Sequence, residues 1–110
     1  MPTTLSPTEV LTLVSVARLG DTAYGVTIRQ DIHDCTARGV SLAAVYAALD
    51  RLERQGLVRP WLSEPRPERG GRARRHYALT AAGQAVVRVE RANAARMWRG
   101  VSLEPTRHRR

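Results

Sequence analysis

Apolar residues recur along this chain first at helical spacing, then in a brief alternation, then at helical spacing again. Ser6-Pro7-Thr8-Glu9 opens the first helix: Ser6 and Glu9 have capping-box spacing, and Pro7 takes the first helical position, where a missing N–H costs nothing. Val10, Leu11, Leu13, Val14 and Ala17 then form a wide apolar face, which Gly20 ends. Asp21 or Thr22 is expected to cap a second helix that runs to about Thr36 with Val26, Ile28 and Ile32 inward, and Gly39 to turn the chain into a third. This third helix, over 41–55, has Ser41 as N-cap, Leu42, Val45, Ala48, Leu49 and Leu52 on one side, and Gly56 as its stop.

The period then shortens. Residues 57–62 alternate in part and read as a strand, with Pro60 marking an edge. Pro65, Pro67, Gly70 and Gly71 forbid regular structure in the turn over 63–74, and 75–79 is the return strand. Thr80 caps a fourth helix from Ala81 to about Arg99, with Gly83 weakening its first turn. Val86 and Val89 line one stripe of it; Val87, Ala94, Trp98 and Val101 line a second. One stripe docks on the domain, and the other is left for a partner subunit, because a chain of 110 residues has nothing further to cover it. The fold class that follows is mainly α with a small β-hairpin. A winged helix-turn-helix domain spans 1–80, a C-terminal dimerisation helix 81–101, and a basic disordered tail 102–110.

Composition sharpens this picture. The formal charge is +8, and all 18 basic residues are arginines. Such a balance points to a polyanionic partner. Arginine in place of lysine suits bidentate phosphate and guanine recognition, and it equally reflects GC-rich codon usage. One cysteine, Cys35, allows no intrachain disulfide and fits a reducing cytoplasm, and neither a signal peptide nor an apolar run of membrane-spanning length is visible.

Double-stranded DNA is the polyanion that a helix followed by a basic hairpin addresses, the helix in the major groove and the hairpin along the backbone or minor groove. On the outward side of the third helix lie Ala43, Ala44, Ala47, Asp50, Arg51 and Arg54, with Ser41 at its start and Tyr46 at the boundary. Small side chains permit close approach to base edges, while Arg51, Arg54 and the Tyr46 hydroxyl reach phosphate or guanine. The bland alternative is a solvated helix whose arginines pair with Asp50 and Glu53. From Arg66 to Arg75, Arg66, Arg69, Arg72, Arg74 and Arg75 stand against one acid, Glu68, and are expected to clamp phosphates or enter a narrow minor groove.

Three segments resemble the PadR family of bacterial transcriptional regulators. Tyr24-Gly25-Val26-Thr27-Ile28 is similar to its Tyr-Gly motif, and residues 41–58 to its recognition-helix signature of Tyr, Leu, Arg-Leu-Glu and Gly-Leu. Gly70-Gly71-Arg72 through Gly83 is similar to its wing and Tyr-x-Leu-Thr-x-x-Gly exit. Ala43 and Ala47 depart from the glycine and proline frequent at those places. The resemblance covers about 8–90. It implies a homodimeric repressor with a single C-terminal dimerisation helix and a pseudo-palindromic operator, and release by a small aromatic or drug-like effector as in some members. Met97 and Trp98, with Val87 and Ala94, are then the expected dimer or effector residues, Trp98 either stacking on a planar ligand or packing in the dimer core. Asn93 either fixes helix register there or is solvated.

His33, His76 and His108 share no ligand spacing with Cys35, so neither a metal nor a cofactor is expected. Cys35 reads as a small half-buried side chain rather than a redox sensor, and Asp31 with Asp34 as a solvated helix face. No phosphate loop, nucleophile elbow or acid–base constellation suggests an enzyme. Two other readings stay open: a winged-helix protein-interaction module without sequence-specific DNA binding, and a non-specific architectural DNA-binding protein.

Overall fold

A computed structural model describes residues 4–64 and 74–105. Helices α1 (Pro7–Leu19), α2 (Gly25–Thr36) and α3 (Leu42–Arg54) precede a two-stranded antiparallel hairpin, β1 (Val58–Leu62) and β2 (Arg75–Leu79), and helix α4 (Ala81–Trp98) closes the order. The register runs from Val58 opposite Leu79 to Leu62 opposite Arg75. This is the mainly α, winged helix-turn-helix architecture read from the periodicities.

Helix α1 begins as its residues dictate. The Ser6 side chain accepts from the Glu9 N–H, and the Ser6 N–H donates to the Glu9 carboxylate at 2.8 Å. Its buried stripe differs from the expected one. Glu9, Thr12, Leu13 and Val16 face inward at i, i+3, i+4, i+7 spacing, while Ala17 is exposed. Glu9 and Ser15 take part because neighbours satisfy them: Arg51 pairs with Glu9, and Ser15 donates to Asp31 at 2.8 Å, while the buried Thr12 hydroxyl has no hydrogen-bond partner among the described residues. Asp31 also holds Arg18 at 3.1 Å, so it joins α1 to α2 and is not simply solvated.

Neither Asp21 nor Thr22 caps α2. They lie in a 3-10 turn, Gly20–Thr22, and the helix begins after Tyr24, whose N–H donates to Thr27 Oγ1. Ile28 and Ile32 are buried as expected, but Val26 is 52% exposed. Two residues rotate a helix by about 200°, so Val26 cannot share the face of Ile28. The helix stops at the left-handed Ala37, at φ 56°. Cys35 is exposed, not half-buried, with its Sγ 3.6 Å from Asp31.

Helix α3 buries Val45, Ala48, Leu49 and Leu52 in the middle of the core, beside Leu13, Ile28, Val58 and Tyr77. Ser41 caps it, accepting from the Ala44 N–H at 3.0 Å. At the far end the Leu57 N–H returns to the Leu52 carbonyl, and the Thr80 hydroxyl donates to the Gly56 carbonyl at 2.6 Å. Thr80 also caps α4, accepting from the Gly83 N–H.

Gly83 is buried and does more than loosen that first turn. A Cβ there would stand 2.0 Å from the Leu57 carbonyl oxygen, so only glycine lets the helix lie on the chain entering β1. This contact sets the docked face: Val86 and Val87, at i+3 and i+4 from Gly83, both pack on the core. The two expected stripes are therefore redistributed. Val87 joins the domain, and Val89 is exposed together with residues 91–101.

Candidate nucleic-acid interface

The outward face of α3 is open. Ser41, Ala43 and Ala47 are exposed, and Ala44 is half-buried. Tyr46 lies across the start of α2, where a Cβ on Gly25 would fall 2.5 Å from its ring. The Tyr-Gly pair thus has a steric role: glycine at 25 makes room for the aromatic ring of α3.

The arginines divide by partner. Arg51 does not point with the alanines; its guanidinium reaches Glu9 of α1 at 3.2 Å. Hydrogen bonding from the Ser6 backbone, joined by the Arg51 guanidinium, outweighs burial and holds the Glu9 carboxyl below the usual range. Arg54 pairs with Asp50 one turn away at 2.7 Å, as the solvated-helix alternative anticipates. Arg75 crosses from β2 to Glu53 of α3 at 3.0 Å and donates to the Tyr77 hydroxyl. That bond ties the wing to α3.

Arg74 is held differently. Its guanidinium lies 4.7 Å from the Tyr24 ring centre and donates to the Tyr24 hydroxyl. The Tyr24 ring packs on His76 at 5.1 Å, and His76 stacks on Trp61 at 4.4 Å. Backbone contacts extend this arrangement. Tyr24 makes an isolated bridge to His76, and the Tyr77 N–H donates to the Ala23 carbonyl, so residues 23–24 lie against β2. Tyr24, Val26, Tyr46, Arg74 and Arg75 line an open cleft of about 320 Å³ between α2, α3 and the wing root.

Arg66, Arg69 and Arg72 lie outside the described residues. Tyr24 was visible in the sequence only through its motif, because its partners are about fifty residues away. Arg38, exposed in the turn before α3, carried no signal beyond its charge.

On α4, Ala94 is exposed, Met97 is 78% exposed and Trp98 65% exposed, so no pocket among the described residues gathers them with Val87. Asn93 accepts a hydrogen bond from Arg96 on the same exposed helix. Among the described residues no cluster of His, Cys, Asp and Glu suits a metal, and no helix is long and apolar enough to cross a membrane.

Three helices followed by a two-stranded hairpin and a fourth helix define a winged helix-turn-helix fold. The profile of the transcriptional regulator PadR-like family matches residues 13–89, and the chain belongs to that family of DNA-binding transcriptional regulators. A PadR family transcription regulator from Clostridium difficile is similar in structure (TM-score 0.71, 20% identity, covering 84% of this chain and 91% of that one). A PadR family regulator from Eggerthella lenta is similar over 83% of this chain and 77% of that one (TM-score 0.66, 24% identity). RosR of H. salinarum shares the fold over 89% and 81% of the two chains (TM-score 0.67, 22% identity). No curated protein matches the chain.

Proposed function

We propose that this chain is a homodimeric repressor that binds a pseudo-palindromic operator through residues 1–80 and pairs through the helix over 81–101. The observation that carries the DNA-reading half is the Glu53–Arg75 bond, which fixes the wing root against α3. Two such surfaces address successive major grooves, with the wings flanking them. Ser41, Ala43, Ala44, Tyr46 and Ala47 form the groove-facing strip, and Arg54, Arg69, Arg72, Arg74 and Arg75 supply backbone contacts. Arg51 acts first through Glu9, as a strut between α1 and α3.

The pairing half is supported by the exposed apolar end of α4, where Ala94, Met97 and Trp98 await cover. A planar aromatic effector seated beside Trp98 in the dimer would release the operator by changing the spacing of the two reading helices. Quenching of tryptophan fluorescence by such compounds tests that part.

The main test is a gel shift of the protein's own upstream DNA against scrambled competitor, after selection from fragmented genomic DNA. Sequence preference at moderate salt, on sites with two half-sites about one helical turn apart, is the expected result. Replacing Arg72, Arg74 and Arg75 together should reduce the salt slope by about one per lost phosphate contact. A second reading, a protein-interaction module without DNA readout, draws on the pairing of Arg51, Arg54 and Arg75 with carboxylates. Absence of sequence preference favours it.

A further inference from the structure

We propose that the cleft between α2, α3 and the wing root is a seat for one DNA backbone phosphate, held by the Arg74 guanidinium and the Tyr24 hydroxyl and faced by Tyr46. This rests on the DNA-binding reading above and names the contact that sets the wing's register on the duplex.

Arg51, Arg54 and Arg75 are each engaged by a carboxylate, whereas among the described residues Arg74 donates to the Tyr24 hydroxyl and meets no carboxylate. The phenol oxygen accepts from Arg74, which leaves its own proton to donate. A guanidinium N–H and a phenol O–H polarised by that guanidinium make a donor pair suited to the two unbridged oxygens of a phosphodiester. The described lining of the cleft contains no acid; its remaining members are Val26, Tyr46 and Arg75. Val26, exposed although apolar, forms one wall of the cleft.

The seat is built before any ligand arrives. The Tyr24 backbone is fixed by Thr27 on one side and by the bridge to His76 on the other, and its ring packs on the His76–Trp61 stack. Tyr46 is held by its contact over Gly25. The two donors therefore come from the residue before α2 and the residue before β2, with Tyr46 of α3 facing them. A phosphate bound there fixes how deep α3 sits and where the wing falls, without reading a base.

The test uses a selected operator in which each phosphate of one half-site is replaced in turn by an uncharged methylphosphonate. Wild-type protein should lose about tenfold in affinity at one position, the scale of a hydrogen bond to a charged group. Against Arg74→Gln the same replacement should cost less than about twofold, because the contact is already gone. Tyr24→Phe keeps the ring stack and removes only the hydroxyl, so it should show an intermediate loss at that position alone, with an unchanged thermal midpoint. Losses that simply multiply at every position, in both variants, overturn the seat while leaving DNA binding intact. Failure of wild-type protein to bind any selected DNA overturns the function and the seat together.

Discussion

Helices α3 and α4 have similar apolar content and different fates. α3 places Val45, Ala48, Leu49 and Leu52 in the core and leaves only alanines, Tyr46 and charged residues outside. α4 docks by Gly83, Val86 and Val87, then carries Val89, Met97 and Trp98 into solvent. The first helix is completed by its own chain; the second is completed for half its length. An apolar face thus reports what a helix needs, and the tertiary contacts report whether the chain supplies it.

The largest way to break this contrast is at Gly83. Gly83→Val should destabilise the domain by about 3 kcal/mol or more, because the branched side chain collides with the Leu57 carbonyl and α4 must lift. Urea unfolding checks it, and a midpoint near wild type would mean that α4 docks without close approach. Trp98→Glu should act at the opposite end. The unfolding midpoint of the wild-type protein should rise with protein concentration, and the variant's should not, since a charge in the uncovered face opposes pairing. Sedimentation of both proteins at matched concentrations is the independent readout.

A smaller effect is expected at the start of α3. Ser41→Ala removes the cap on the Ala44 N–H and should cost about 1 kcal/mol, with the reading helix fraying first. The smallest concerns acid. Glu9 has its carboxyl held below the ordinary value in the folded protein, so its contribution to stability is complete above the unfolded glutamate value and is lost as pH falls through the folded one. Unfolding midpoints measured downward from neutral pH should decline less steeply for Glu9→Gln than for wild type. Parallel curves would mean that the Ser6 and Arg51 contacts do not favour the ionised form.

Elements with a local cause were legible before the structure. Ser6, Ser41 and Thr80 cap the helices assigned to them, and the hairpin strands fall within a residue of expectation. Misreadings came where a distant neighbour decides. Ala17 read as core until Glu9 and Thr12 took the inward stripe; Val26 is the exception, since its separation of about 200° from Ile28 follows from the helical period alone. The place of Arg51 on the helix predicts reach to phosphate or guanine, or pairing with Asp50 or Glu53; the partner it finds within the chain is Glu9, 42 residues away. The cleft was hidden for the same reason: Tyr24, Tyr46 and Arg74 belong to three elements.

Capping residues, apolar period and turn chemistry act over three or four neighbours, so order alone yields the helices, the hairpin and the basic character of the wing. Which polar residues are satisfied inside, which arginines are paired with carboxylates and how far α4 is covered depend on groups brought together across the chain. Those outcomes follow from close packing and ion pairing in three dimensions, where Gly83 admits a helix, Gly25 admits a ring and Glu9 claims an arginine.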